Sequence, residues 1–352
     1  MFYPLKFKPV YKDYIWGGRG LEKIGKKLPD GIVAESWEVS CHPDGPSIVN
    51  NGRFEGVPLE KLIRQYPYEV LGNALEAKYF EKFPLLIKFI DANDNLSVQV
   101  HPDDDYAFKN ENGEYGKNEM WYIIDAVPGA KLIYDVKQGV TRDIFEQAVR
   151  QKKIGECLKY IEVKPGDVIN IPAGLVHAIG KGIMLAEVQQ NSNTTYRVYD
   201  FDRVDKEGRP RPLHIEKALD VIDFNSRGRK EKYTGLKYME SDEVVKYMLA
   251  ATKYFCVEKH DINGTVYEEA DGSRFYIYSF IDGDGFIEGS FGKEKVSKGE
   301  SVLIPSCMGK FNIFGNIKCI VSYMPDGLNI VDNLKNKGFN MADLSENMAL
   351  GI

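Results

Sequence analysis

Residues 84–136 hold four short apolar stretches in succession: PLLIKFI (84–90), LSVQVH (96–101), EMWYIIDA (119–126) and KLIYDV (131–136). Each is rich in Ile, Val, Leu or aromatic residues and bounded by Asn, Asp, Gly or Pro, so each reads as a strand closed by turns. The texture returns between Tyr160 and Val198. It returns again in KYFCVEKH (253–260), SRFYIYSFI (273–281), GFIEG (285–289), ESVLIP (300–305) and IKCIVSYM (317–324). Many short strands with regular turns predict antiparallel sheets closed into sandwiches or barrels. The 33 glycines supply turn positions with positive φ.

Helical patterns interrupt the strands in few places. Leu59, Leu62 and Ile63 recur at helical spacing, and a second helix is predicted around Glu69–Tyr79, so residues 58–82 read as helical. Residues 141–160 read as an amphipathic helical segment with Thr141 as N-cap, and Ile215–Phe224 as a short helix. The charged stretch Asp202–Arg211 reads as a loop.

The chain has 352 residues, 43% hydrophobic and 28% charged, enough to bury a core without disulfides or a structural metal. Its net charge of −6 excludes a strongly basic nucleic-acid-binding surface over the whole protein, and the short run Arg227-Gly-Arg-Lys reads as a solvated loop. No apolar stretch reaches the roughly 18 residues that span a bilayer. The N-terminal stretch alternates apolar and charged residues as a strand does and lacks an apolar signal core. The five scattered cysteines form no C-x-x-C pair, which fits reduced, mostly buried thiols and a cytoplasmic location.

An internal echo points to two related units. KPGDVINIPAGLVHAIG (164–180) and SKGESVLIPSCMGKFNIFG (297–315) both read Gly, acidic residue, apolar strand, Pro, turn, strand, with Gly166 matching Gly299 and Pro172 matching Pro305. His177 in the first copy corresponds to Lys310 in the second, so only the first keeps a metal-ligand type.

The five histidines are His42, His101, His177, His214 and His260. In LSVQVH, Gln99 and His101 are two apart and share one strand face. An antiparallel return over GKNEMWYII (116–124) sets Glu119 beside them. The turn after Pro172 presents His177 from a later strand. Two imidazoles, a carboxylate and an amide oxygen suit a divalent metal with an open position, zinc first. His214 and His260 have no companion ligands and read as structural, His42, between a strand and a turn, as bonding locally, and Trp16, Trp37 and Trp121 as core or pocket wall.

The run Gly166-x5-Pro-x-Gly-x2-His177 resembles a motif of the cupin β-barrel superfamily, and the fuller segments resemble the type I mannose-6-phosphate isomerase (phosphomannose isomerase) family in a short bacterial-type form. IWGG (15–18), ESWEVS (35–40), PLLIKFIDANDNLSVQVHPDD (84–104), GKNEMWYII (116–124), IPAGLVHAIG (171–180) and AEVQQNSNTTYRVYDF (186–201) stand in family order. The resemblance implies a mainly β fold of two cupin-like (jelly-roll) β-barrels with a small α-helical segment: a catalytic unit over residues 1–225 and a second over 226–352 without metal ligands. It implies one Zn²⁺ per chain on Gln99, His101, Glu119 and His177, and a catalytic arginine at Arg197. Where the family often has an Asp four residues before that arginine, this chain has Asn193. The residues 141–160 stand where larger members carry a long helical insertion.

Interconverting an aldose and a ketose phosphate moves a proton between C1 and C2 through an enediol(ate). That needs charge stabilisation on the developing oxyanion, a proton carrier and cationic donors for the phosphate. Arg197 is assigned to the oxyanion or the phosphate. A structural pair of Arg197 with Asp200 or Asp202 is the plainer reading of the same residue. Lys117, two residues before Glu119, and Glu187 are candidates for proton transfer. Lys117 is also a candidate for substrate contact, as is Ser97, two before Gln99. The expected partner is a small phosphosugar, with no nucleic acid and no membrane, and the expected state a monomer or weak homo-oligomer. A cupin oxygenase with Fe(II) and a non-catalytic sugar-binding cupin are the alternatives, and Gln99 in place of the usual second His weakens the iron site.

Overall fold

A computed structural model describes residues 2–204, 207–225, 229–325 and 329–351. Arg227 and Gly228 of the basic run lie outside them, as do residues 205 and 206 of the charged stretch. The chain is mainly β, and among the described residues the strands form sheets of ten, six and five strands. No helix among them is long and apolar enough to cross a membrane.

Two of the sheets face each other and build the unit that holds the candidate site. The six-stranded sheet runs in the order Val168–Ile171, Glu119–Ala126, Ile183–Gln190, Leu85–Ala92, Glu35–Val39, Val10–Lys12. The five-stranded sheet runs Tyr196–Tyr199, Val98–Val100, His177–Ala178, Lys131–Val136, Leu158–Glu162. Trp121, Ile123 and Leu185 of the first pack against Leu132, Tyr134 and Ile161 of the second. The strand period of two then sorts the remaining side chains. Val98, Val100, Tyr196 and Val198 point outward, under Phe145 and Leu219 of the helices Arg142–Arg150 and Ile215–Val221. Gln99 and Arg197, between them in sequence, therefore point inward and line the cavity between the sheets.

The ten-stranded sheet holds the long strands Cys256–Ala270, Tyr276–Gly289 and Gly309–Tyr323, around a core that includes Ile262, Phe280, Ile313 and Val321. Its outer members include Leu5–Lys8, which pairs with Ser301–Ile304 (Leu5 opposite Leu303), so the first strand of the chain is built into the sheet of the last third. SRFYIYSFI and GFIEG, two strands by sequence, form one strand that bends through an irregularity between Phe280 and Asp282. The echoed segments share their local course. Gly166 and Gly299 turn with φ of 92° and 84°, then come the strands Val168–Ile171 and Ser301–Ile304, each followed by Pro.

Two expectations need correction. The helix expected around Glu69–Tyr79 is broken. Pro67–Leu71 stops at Gly72, and only Lys78–Glu81 follows. Gly72 has φ of 101°, and a Cβ there would lie 2.2 Å from the Ser273 carbonyl oxygen, so the chain turns there to pass against the other sheet. In residues 141–160 the α-helix ends at Arg150 and Leu158 already begins a strand, although Thr141 does cap the helix by accepting from the Ile144 N–H. The helices Asp104–Asn110, Asn329–Asn336 and Met341–Asn347 were not anticipated.

Gly72→Ala forces a side chain into both a left-handed conformation and a carbonyl. It should cost about 1–3 kcal/mol of stability, read as a lower midpoint in chemical denaturation. An unchanged midpoint would show that the close approach at Ser273 does not constrain the fold.

Candidate metal centre and catalytic cavity

His101, Glu119 and His177 come from both sheets and meet at one end of the gap between them. His177 lies opposite Gln99 in the five-stranded sheet, and Glu119 begins the strand whose partner, Val168–Ile171, leads through Pro172 to His177. His101 follows the Val98–Val100 strand, and its carbonyl accepts from the Gly174 N–H, which ties it to the Pro172 turn. The three side chains are at most 1% exposed. Glu119 Oε1 lies 3.2 Å from His101 Nε2, and Glu119 Oε2 lies 3.8 Å from His177 Nε2.

The outer nitrogens decide what the inner ones can do. His101 Nδ1 donates to the Thr194 carbonyl at 2.9 Å and His177 Nδ1 to the Leu175 carbonyl at 2.9 Å. A carbonyl only accepts, so each Nδ1 carries the hydrogen and each Nε2 turns a lone pair toward the other and toward Glu119. Glu119 Oε2 is buried without a hydrogen-bond partner. Three donor atoms within 4.8 Å of one another, one of them an unsatisfied carboxylate oxygen, fit a divalent cation with N and O ligands. The Lys117 ammonium already answers part of that demand, with Nζ 3.0 Å from His101 Nε2 and in contact with Glu119 Oε1. Burial, reinforced by the Lys117 charge, pushes His101 down to about 3, so the imidazole stays neutral. Glu119 lies well below the usual carboxylate range despite its burial, because the Lys117 ammonium faces it. The Gln99 amide lies against the same group, its Nε2 3.4 Å from His177 Nε2. A half turn of that amide would present its oxygen instead.

Beside this centre is a cavity of about 230 Å³, and Ser97, Gln99, Lys117, Glu187 and Arg197 all line it. Arg197 does not pair with Asp200 or Asp202. Its Nε donates to Ser97 Oγ at 3.2 Å and its terminal nitrogen to the Pro212 carbonyl at 2.9 Å, while Asp200 is held by Arg203 and Arg211. Glu187 is 3% exposed; Trp121 Nε1 donates to Oε2 at 2.7 Å, and Lys88 Nζ lies 2.9 Å from Oε1. Burial and the neighbouring Glu119 charge raise its pKa. Lys88 itself is held charged in spite of burial by Glu187 and Glu35.

Sequence reasoning missed Lys88, Glu35 and Arg211 as cavity residues. Lys88 sits inside an otherwise apolar strand, PLLIKFI, and a cation in such a strand is the local signal for it. Asn193 also lines the cavity, with its amide donating to Asp44 at 2.7 Å. His42 bonds locally, as expected, accepting from the Asp44 N–H.

Residues 4–123 match the family model of the phosphomannose isomerase type I catalytic domain, and residues 245–324 that of the mannose-6-phosphate isomerase cupin domain. Mannose-6-phosphate isomerase ManA of Bacillus subtilis is 39% identical over 91% of this chain and 99% of its own length. The crystal structure of the mannose 6-phosphate isomerase from Bacillus subtilis superposes with a TM-score of 0.85 at 36% identity, covering 91% of this chain and 99% of that one. A mannose 6-phosphate isomerase solved with zinc and yttrium shares the fold, with a TM-score of 0.70 at 17% identity over 91% of this chain and 99% of its own.

His101→Ala and His177→Ala each remove one nitrogen donor and should lower affinity for a divalent cation by more than the roughly 10–100-fold typical of outer supporting residues. Metal content after gel filtration measures this, and stoichiometric metal in either variant would contradict the assignment. The cross-sheet placement of the candidate ligand residues, the match over nearly the full length and the shared fold lead to one conclusion: the chain belongs to the type I phosphomannose isomerase family.

Proposed function

We propose that the protein is a zinc-dependent aldose–ketose isomerase, interconverting D-mannose 6-phosphate and D-fructose 6-phosphate, with one zinc per chain. The observation that carries the metal is the pair of His Nε2 lone pairs and the bare Glu119 oxygen converging in a buried space. Nitrogen and oxygen donors without a thiolate argue against a soft metal, and between zinc and Fe(II), which two histidines and a carboxylate would also hold, the zinc in the solved structure of the same fold favours zinc. Gln99 is the fourth protein ligand after its amide turns.

Bound there, zinc supplies a fixed positive charge that orients the sugar and stabilises negative charge on its oxygens. The chain's own residues do the rest. The cavity carries Lys88, Lys117, Arg197 and Arg211 against Glu35 and Glu187, an excess of cations suited to a phosphosugar dianion. Arg197, fixed by Ser97 and Pro212, stabilises the enediolate oxygen or binds the phosphate, and Ser97 donates to the phosphate. Glu187 and Lys117 are the proton carriers. The raised Glu187 pKa moves it toward the range in which a carboxylate exchanges protons efficiently near neutrality. The proton leaves C2 of the aldose and returns at C1, while the O1 and O2 protons exchange correspondingly.

We further propose that residues 1–225 form the catalytic cupin-like barrel and residues 226–352 a second barrel without metal ligands, with the Leu5–Lys8 strand crossing between them. Lys310, at the position echoing His177, pairs in register with Glu269 and is exposed.

A coupled assay for fructose 6-phosphate formed from mannose 6-phosphate tests the reading. Turnover in the zinc-loaded protein is expected; none with zinc present would leave the non-catalytic sugar-binding reading. Arg197→Ala should keep the fold and the zinc and lose about 10²–10³-fold in kcat. A raised KM with unchanged kcat would make Arg197 a binding residue only.

A further inference from the structure

The interior of the ten-stranded sheet is apolar at one end and charged at the other. The inward positions of the Cys256–Ala270 strand include Cys256, Ile262 and Val266, but also Glu258, His260 and Glu268. Lys246, opposite His260 in register, joins them, with its ammonium 2.5 Å from Glu268 Oε1. They line a cavity of about 260 Å³ whose wall also holds Tyr238, Tyr276, Tyr278, Tyr323 and Arg274, with Asn333 of the Asn329–Asn336 helix at its edge.

This group is expensive to bury. Glu258 accepts from Tyr323 at 2.6 Å, from Tyr238 at 2.5 Å and from His260 Nε2 at 2.7 Å, so its ionised form is well satisfied. Burial opposes that charge, but the His260 hydrogen bond and the two tyrosines hold Glu258 down to about 2. His260 is only 2% exposed. Its Nε2 is engaged with Glu258, and its Nδ1 is buried without a hydrogen-bond partner, 4.0 Å from Glu268 Oε1 on the same wall. Replacing such a network by apolar side chains of the same volume is often neutral or stabilising. Stability therefore does not account for it, and a buried ring nitrogen left without a partner at a cavity wall calls for one.

The kind of partner follows from the wall. The cavity has three carboxylates (Glu258, Glu268, Glu269) against two cations (Lys246, Arg274), the reverse of the catalytic cavity, so it disfavours a phosphate. Tyrosine rings offer flat apolar faces, and their hydroxyls, with the carboxylates and His260 Nδ1, offer donors and acceptors in several directions. We propose that this cavity is a second binding site, for a small uncharged polyhydroxy compound of monosaccharide size, separate from the catalytic cavity.

Calorimetric titration of the zinc-loaded full-length protein tests this, with D-mannose, D-glucose and mannitol as neutral probes and inorganic phosphate as the anionic one. The titrations run with the catalytic cavity saturated by mannose 6-phosphate and fructose 6-phosphate already at equilibrium. Saturable binding of at least one neutral probe is expected. It should weaken by about tenfold or more in His260→Gln, the loss typical of one hydrogen bond in a charged network. It should also weaken in Asn333→Trp, which obstructs the edge from an exposed helical position. Turnover of mannose 6-phosphate should stay within about twofold of wild type in Asn333→Trp, since a change of 0.4 kcal/mol or so is small for a distant surface site. Binding of none of the neutral probes, binding abolished by the phosphosugar mixture, or binding unchanged in Asn333→Trp would each overturn the proposal, as would phosphate bound more tightly than the sugars.

Discussion

A carboxylate with 1% of its surface exposed, Glu119, sits at the contact between two sheets. A buried ionised carboxylate is tolerated only where positive charge and hydrogen-bond donors compensate it. Lys117 from its own segment, and His101 and His177 from the opposite sheet, stand around it. The tautomers of both histidines are fixed from outside by carbonyls, so the compensation cannot come from their Nε2 hydrogens and must come from a cation. The Pro172 turn, the crossing of the chain from one sheet to the other and the inward face of the Val98–Val100 strand all serve to bring these groups together.

The same strand parity orders the cavity. On the Val98–Val100 and Tyr196–Tyr199 strands the outward Val98, Val100, Tyr196 and Val198 are packed under helices, which leaves Ser97, Gln99 and Arg197 inward and adjacent. Arg197 and Gln99 are cross-strand neighbours, so the guanidinium and the Gln99 amide are held by one hydrogen-bonded ladder. On the facing sheet, Lys88 and Glu187 are also direct neighbours across strands, and their ion pair, with Glu35, forms a charged floor under the cavity. Gln99, Glu119, Arg197, Lys88 and Glu187 therefore stand on paired strands, with Ser97, His101 and Lys117 in the segments directly adjoining them, which restricts their movement as positioning chemistry requires.

How much of this was readable before the fold depended on range. Gln99 and His101 share a face by parity alone, and the Pro172 turn marks where His177 leaves a strand. Local patterns carried that much. The Arg197–Ser97 bond joins residues a hundred positions apart, and the neutralisation of Asp200 by Arg203 and Arg211, which frees Arg197 from it, is a competition among neighbours that a sequence does not rank. The helix at Met341–Asn347 did leave a local trace: Asn340 caps it and Asp343 returns the bond, a spacing visible in the residues themselves. The break at Gly72 left none, since its cause is the Ser273 carbonyl in a distant sheet. The C-terminal polar cavity was hidden in the same way, because His260 acquires its companions Glu258, Glu268 and Lys246 only when the strands alternate and pair.

The central claim is that isomerisation depends on a single cation held by His101, Glu119 and His177. Its most direct measurement is a titration of chelator-treated protein with zinc, following fructose 6-phosphate formation and bound metal together. The account predicts no turnover in the metal-free protein and activity that rises in proportion to bound zinc, levelling at one per chain. Full turnover without metal, or activity unrelated to zinc bound at this site, would contradict it.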